Sequence, residues 1–268
     1  MGDPVAAEMG PASWIGRLMI GGMAVFMLAG CATGTSHTTA QIGNQTLNVA
    51  RSALAGGNPQ MALTVTNAVL KSSPDDAEAL IDRGDAYYLL KNCAQASADY
   101  QHALRLAPHA AMAELGVGRC AMAQNPRIAA AAFTRATRDA PGNAEAFNDL
   151  GIAQASESEF AAAAVSLRQA LALDPSLLAA RVNLGLALAL GGDPAAGETM
   201  LGPLVRGPDA SPTIRANYAT ALTLAGHPTA AAKILLVDMP ENEAEAMVSQ
   251  LQSFGYAAQG AAAIGGKS

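Results

Sequence analysis

The sequence predicts an all-α fold, a solenoid of about six stacked helix pairs closed by a C-terminal helix. Three observations carry that expectation: a repeat of about 34 residues, apolar residues at helical spacing inside each repeat, and a composition that suits thin layers. The repeat is plainest in the second half. Arg181-Val182-Asn183-Leu184-Gly185 is followed by Gly192-Asp193-Pro194-Ala195-Ala196; 34 residues on, Arg215-Ala216-Asn217-Tyr218-Ala219 is followed by Gly226-His227-Pro228-Thr229-Ala230. Toward the N-terminus, Gly185 is preceded by Gly151, Gly118 and Gly84 at spacings of 34, 33 and 34, and Pro74, Pro108, Pro141 and Pro175 keep the same beat. The chain is 51% hydrophobic but only 4% aromatic over its 268 residues. Its abundant alanine suits closely packed helices better than a thick core.

Each unit reads as two amphipathic helices. Between Ala144 and Leu177, Phe160, Ala163, Ala164, Leu167, Ala170 and Leu171 fall on one helical face, at the i, i+3, i+4, i+7 spacing of a buried stripe. Phe147, Leu150, Gly151 and Gln154 mark the matching stripe of the first helix. Gly151 and Ala163 remove bulk where the two helices would cross. Asp174-Pro175 ends the second helix, because a residue before proline is driven out of the α region. The units span roughly 43–76, 77–110, 111–143, 144–177, 178–211 and 212–239, so the solenoid is expected over 43–239. The fifth and sixth displace the closing proline (Gly207-Pro208, Ser211-Pro212). A helix within 240–256, from about Glu241 to Phe254, is expected to cap the last apolar face, as solenoid ends require. Residues 257–268, rich in Gly and Ala, read as a loose tail.

Arg83-Gly84, Tyr87, Ala96, Tyr100, Ala103 and Pro108, with Leu150-Gly151, Ala163, Leu167, Ala170 and Pro175, resemble the tetratricopeptide repeat. The resemblance covers roughly 200 residues and implies a right-handed α-solenoid. The first unit departs most, with Ala50 where glycine is expected.

Before the repeats, Arg17 precedes eleven uncharged residues, Leu18 to Leu28, and then small residues before Cys31. A basic flank, an apolar core and a small-residue cleavage site make a secretory signal over residues 1–30. Eleven helical residues reach about half of a ~30 Å hydrocarbon core, too little to span it. Asp3 and Glu8 are unusual in such a flank, and a start at Met9 would leave it free of acids. Leu28-Ala29-Gly30-Cys31 resembles the bacterial lipobox, which implies that Cys31 begins the mature chain and carries acyl chains. Each buried methylene adds about 0.8 kcal/mol of membrane affinity, so several chains anchor firmly. An ordinary cleaved signal and an uncleaved anchor are the other readings. Ala32 and the polar run after it, with no Asp behind the cysteine, favour the outer over the inner membrane by resemblance to lipoprotein sorting. Residues 31–42 read as a flexible tether.

Without residues 1–30 the chain carries 15 basic and 20 acidic side chains, a net charge of −5. A mildly acidic protein is a poor fit for nucleic acid, which needs clustered Lys and Arg. There is no phosphate loop, HExxH, Gly-x-Ser-x-Gly elbow or CxxC. His37, His102, His109 and His227 are scattered, and Asp75-Asp76 and Glu241 lie where helix dipoles explain them. The expectation is a protein with no enzymatic activity, cofactor, metal or small-molecule substrate, acting on protein partners. Cys93 and Cys120 sit in adjacent units, an even pair in an oxidising compartment. They form either a disulfide pinning those units or two buried thiols acting as small apolar residues.

By resemblance, the first helices line the concave side of the stack. The positions that transfer are Ile81, Asp85, Tyr88 and Leu89; Leu115, Arg119 and Met122; Asn148 and Ile152; Val182 and Leu186; and Thr220. Most are apolar or small, and several serve equally well as packing between units. Repeat proteins that clamp a C-terminal carboxylate use several Lys, Arg and Asn there, whereas here only Arg51 and Arg119 could serve. The expected ligand is therefore an extended or helical segment with apolar side chains.

The lipobox, the repeats, Gly118-Arg119-Cys120 read as a turn, the doubled Arg-x-Asn-x-x-x-Ala-Leu segments (Arg181 to Leu188, Arg215 to Leu222) and Lys233 to Asp238 before an acidic helix resemble the TadD family. These are tetratricopeptide lipoproteins of tight-adherence (Flp) pilus systems. The family implies a factor lipid-anchored at the periplasmic face of the outer membrane, whose groove captures the pilus secretin or another pilus subunit. Other readings are a pilotin-like lipoprotein of type IV pili, a barrel-assembly accessory, or a periplasmic scaffold for cell-wall or polysaccharide synthesis.

Overall fold

The computed structural model describes residues 35–265, with side chains described over residues 45–253. The expected signal segment and Cys31 lie outside the described residues. Among the described residues there are thirteen helices and no strand. They are α1 (Thr35–Ala55), α2 (Pro59–Ser72), α3 (Ala77–Leu89), α4 (Cys93–Leu106), α5 (Ala111–Ala121), α6 (Pro126–Asp139), α7 (Ala144–Ser156), α8 (Phe160–Leu173), α9 (Leu178–Leu190), α10 (Pro194–Val205), α11 (Pro212–Leu224), α12 (Pro228–Leu235) and α13 (Glu241–Gly265). The repeats lie in one unit, Gln41–Ser268. Helix α3 packs with α4, α5 with α6, and so on to α12, each pair stacking on the next, and Ala50, Ala53 and Leu54 of α1 cluster with Ala62 and Leu63 of α2, which is the all-α solenoid expected. Among the described residues no helix is long and apolar enough to cross a membrane.

Local chemistry sets the boundaries. Asn58, Asn125 and Asp193 each accept a hydrogen bond from the backbone N–H three residues on, at 3.1, 3.1 and 3.0 Å, and proline follows as the first helical residue. The cap satisfies one orphan donor, and proline occupies a position whose N–H has no partner. Asp76 and Asn143 cap first helices in the same way. The α5–α6 turn holds no residue at positive φ, and in each of the other five pairs the turn holds one. Gly57, Gly192 and Gly226 supply it, but Lys91 (φ 61°) and Ser158 (φ 62°) hold it at a steric cost. Gly118-Arg119-Cys120 lies inside α5 rather than in a turn. Its glycine serves helix packing, not reversal.

Packing repeats as the sequence does. Thr66, Tyr100, Phe133, Leu167, Leu201 and Leu235, one per second helix, are all fully buried. Four of them, Tyr100, Phe133, Leu167 and Leu201, fit against a glycine of their own first helix. A Cβ on Gly84 would lie 2.5 Å from the Tyr100 ring, one on Gly118 2.4 Å from Phe133, one on Gly151 2.5 Å from Leu167 Cγ, and one on Gly185 2.5 Å from Leu201 Cγ. Small-to-large matching of this kind lets the helices of a pair approach closely.

Both ends are more helical than expected. Helix α1 starts at Thr35, so most of the stretch read as a tether is helical; no proline interrupts it before Pro59. Helix α13 runs to Gly265, through most of the segment read as a loose tail. There the alanines at 257, 258 and 261–263 outweigh the glycines, alanine being the strongest helix former. The cap itself is made by Ala244 and Val248, which bury against Ala219, Leu222, Ala231 and Leu235.

Candidate functional site

Three clefts lie along the face made by the first helices. The first, about 510 Å³, is lined by Arg51 and Leu54 of α1, Glu78, Ile81, Asp82 and Asp85 of α3, and Met112 of α5. A second, about 180 Å³, lies among Tyr88, Arg119, Met122, Asp149 and Ile152, with Phe133 of α6 reaching up from below. The third, about 220 Å³, is lined by α7, α8 and α9, including Ile152, Ala155, Leu186 and Leu190.

Seven of the twelve positions expected in the groove line these clefts: Ile81, Asp85, Tyr88, Arg119, Met122, Ile152 and Leu186. Leu115 and Val182 do not. They are 1% and 7% exposed, because their side chains turn into the seams between units, Leu115 joining Phe133, Ala146 and Leu150 and Val182 joining Leu201 and Ile214. Asn148 is also buried and accepts a hydrogen bond from Asn183 at 2.9 Å, a polar tie between α7 and α9. Leu89, at the end of α3, is exposed but lines none of the three clefts. Thr220 donates to its own helix at Ala216.

Charges on this face are paired across unit boundaries. Arg51 Nη2 donates to Glu78 at 2.8 Å and its Nε to Asp82 at 3.2 Å. Arg119 Nε donates to Asp149 at 2.7 Å and its Nη2 to Glu145 at 3.3 Å. Burial works against the Arg119 charge, but Asp149 and Glu145 more than offset it and hold the guanidinium above its usual range. Neither arginine is left to clamp a ligand carboxylate. Tyr100 adds a contact that helical patterning does not reveal. Its ring is sandwiched where Gly84 and Gly116 leave room, and its hydroxyl donates to Asp85 Oδ1 at 2.7 Å, so a core residue positions a groove carboxylate. Burial raises the Asp85 pKa, against the pull of that hydrogen bond and of Arg119 and Arg51.

Cys93, the first residue of α4, is disulfide-bonded to Cys120 of α5, with Cα atoms 5.3 Å apart. The bridge ties the second unit to the third. Among the described residues no group of His, Cys, Asp and Glu is arranged to hold a metal ion.

A tetratricopeptide-repeat family model matches residues 47–111 and 123–177. No curated protein matches the chain by sequence. Among solved structures it is similar to PilW, a widely conserved type IV pilus biogenesis factor, with TM-score 0.65 and 22% identity over 78% of this chain and 98% of that one. It is similar to PilF of Pseudomonas aeruginosa, with TM-score 0.67 and 15% identity over 81% and 99%. It is also similar to YrrB, a tetratricopeptide protein with an unusual peptide-binding site, with TM-score 0.54 and 18% identity over 72% and 97%. The fold is that of a tetratricopeptide-repeat solenoid.

Proposed function

We propose that this tetratricopeptide-repeat chain is a pilus-assembly adaptor, which holds a segment of a partner protein along its first-helix face. The row of three clefts carries the reading. Apolar side chains from successive first helices line a track of neighbouring clefts, and the arginines beside it are already neutralised. Such a track takes apolar side chains of an extended or helical segment. Likeness to PilW and PilF over nearly their whole lengths supports a partner from pilus assembly.

The finer form of the proposal is a tight-adherence (Flp) pilus factor, anchored at the periplasmic face of the outer membrane through lipid on Cys31 and binding the pilus secretin or another pilus subunit. Its support is the lipobox-like Leu28-Ala29-Gly30-Cys31 and the doubled Arg-x-Asn segments. A type IV pilus factor of pilotin type is the second reading, favoured by the same two neighbours. Photocrosslinking in living cells from Tyr88 and Ile152 decides between them. Recovery of a tight-adherence secretin or subunit supports the first, a type IV secretin the second, and recovery of cell-wall enzymes alone overturns both. Membrane fractionation of Cys31→Ser tests the anchor, which is refuted if the variant still fractionates with the outer membrane.

A further inference from the structure

We propose that the cleft between α1, α3 and α5 is a receptor for a cationic side chain, a lysine or arginine, on a partner segment whose apolar residues lie further along the same face. The inference rests on the groove reading above and narrows its ligand.

The cleft holds three carboxylates, Glu78, Asp82 and Asp85, against one guanidinium, Arg51. Arg51 satisfies Glu78 and one oxygen of Asp82. The other oxygen, Asp82 Oδ2, lies 3.1 Å from Arg51 Nε in ion contact but accepts no hydrogen bond, although it is shut off from solvent. The Asp82 side chain is 7% exposed. A buried carboxylate oxygen without a donor is costly, and folded proteins rarely leave one. Burial pushes the Asp82 pKa up to about 6 despite Arg51, and Asp85 is raised for the same first cause. Both are marks of a site short of positive charge. Leu54, Ile81 and Met112 supply apolar walls for the methylene stem of a long cationic side chain. The carboxylates are not arranged to hold a metal ion, so the donor that fits is an ammonium or guanidinium on a flexible stem.

The face also has polarity. The first cleft is acidic, the second carries the neutralised Arg119–Asp149 pair, and the third contains no charged side chain. Adjacent packed helices lie about 8–10 Å apart, so the three steps from α3 to α9 cover about 25–30 Å. An extended chain rises about 3.3 Å per residue. The cationic residue and the apolar ones are therefore about eight or nine residues apart.

A positional-scanning library of fluorescein-labelled decapeptides, titrated against the full disulfide-bonded chain, tests this. The expected result is selection of Lys or Arg over norleucine at one end by about tenfold, as for a charge-assisted hydrogen bond in a partly buried site, with apolar residues selected at the other. Asp82→Asn should reduce the cationic preference to under about threefold. Met112→Arg, at a half-exposed position, should abolish it by placing a positive charge at the cleft. Equal selection of Lys and norleucine, or a preference unchanged in Met112→Arg, overturns the cationic receptor and leaves the groove standing. Selected peptides that bind Leu186→Asp as tightly as the unmodified chain overturn the groove itself. No selection at either end overturns both.

Discussion

Arg119 of α5 and Asp149 of α7 face each other across a unit boundary, Nε 2.7 Å from Oδ2, and Arg51 of α1 stands in the same relation to Asp82 of α3. Each arginine also takes a glutamate one helical turn before its aspartate, Glu145 and Glu78. The motif skips a junction. Between α3 and α5 the equivalent position is Asp85, and between α7 and α9 it is Ile152. Ion pairs thus lock alternate junctions, and the two arginines lining the clefts, Arg51 and Arg119, are structural ties between units.

Removing Arg119 alone should therefore hurt more than removing the pair. Arg119→Met leaves Asp149, whose side chain is 16% exposed, without its counter-charge, and should cost about 1–2 kcal/mol for a partly buried ion pair. Arg119→Met with Asp149→Asn should recover at least half of that. Urea denaturation of both singles and the double measures the coupling. A double variant as unstable as the sum of the singles would mean that the pair contributes nothing.

Asp82 predicts a stability that falls as pH rises through the weakly acidic range. Its pKa is about 6 in the folded chain, raised by burial and by the like charges of Asp85 and Glu78, with Arg51 opposing. In the unfolded chain it is about 3.9. Between those values the folded state binds the extra proton, so raising the pH from about 4 to 6 withdraws stability. After allowance for screening from the open cleft, the loss is about 1–2 kcal/mol. Melting temperatures from pH 4 to 7 should show a steeper decline for the unmodified chain than for Asp82→Asn. Parallel curves would refute the shifted carboxyl.

The repeat, the helix pairs and the Gly-to-large packing were legible because they depend on spacing, which a periodic sequence states many times. The row Tyr100, Phe133, Leu167, Leu201 and Leu235 is written at intervals of 33 or 34 residues. The groove was legible only in part. Leu115 and Ile81 hold the same repeat position, yet one is sealed in a seam and the other lines a cleft. What separates them is which neighbours close over the side chain, a property of the stacked units rather than of the segment. The Tyr100–Asp85 bond was hidden for a related reason. A tyrosine in a core stripe reads as apolar, and only the gap left by Gly116 shows where its hydroxyl emerges. The C-terminal extension of α13 was missed because glycine was weighed above alanine, and the start of α1 because a polar run was read as a tether.

The fit of Gly151 against Leu167 can be tested by a cycle. A Cβ at 151 would sit 2.5 Å from Leu167 Cγ and 3.2 Å from the Ala163 carbonyl oxygen, so Gly151→Ala should cost about 1–3 kcal/mol by overpacking. In a Leu167→Ala background the crowding atoms are gone and most of that cost should vanish, offset further by alanine's roughly 1 kcal/mol advantage in a helix. Equal costs in the two backgrounds would place the strain at the Ala163 carbonyl instead.

The strained turn at Ser158 offers a gain. Its φ of 62° matches the glycines at the corresponding turns of the first, fifth and sixth units, and a side chain there pays about 1–2 kcal/mol that glycine does not. Glycine's extra freedom in the unfolded chain returns part of it, so Ser158→Gly should stabilise by about 0.5–1 kcal/mol. A lower denaturation midpoint would show that the Ser158 side chain contributes something its geometry does not reveal.

The Cys93–Cys120 bridge closes a loop over a sequence separation of 27 and joins neighbouring units. Closing a loop of that length removes freedom from the unfolded chain worth about 3–4 kcal/mol in the chain-entropy account. Units of a solenoid are held mainly by their nearest neighbours, so the loss of the bridge should not be spread evenly. Cys93→Ser with Cys120→Ser should speed hydrogen exchange most in α3 to α6 and least in α11 to α13. The bridge is absent if both thiols of denatured protein purified without reductant react with an alkylating agent. If instead the double variant exchanges uniformly faster along the whole stack, the units fold as one cooperative body and the bridge acts on all of them.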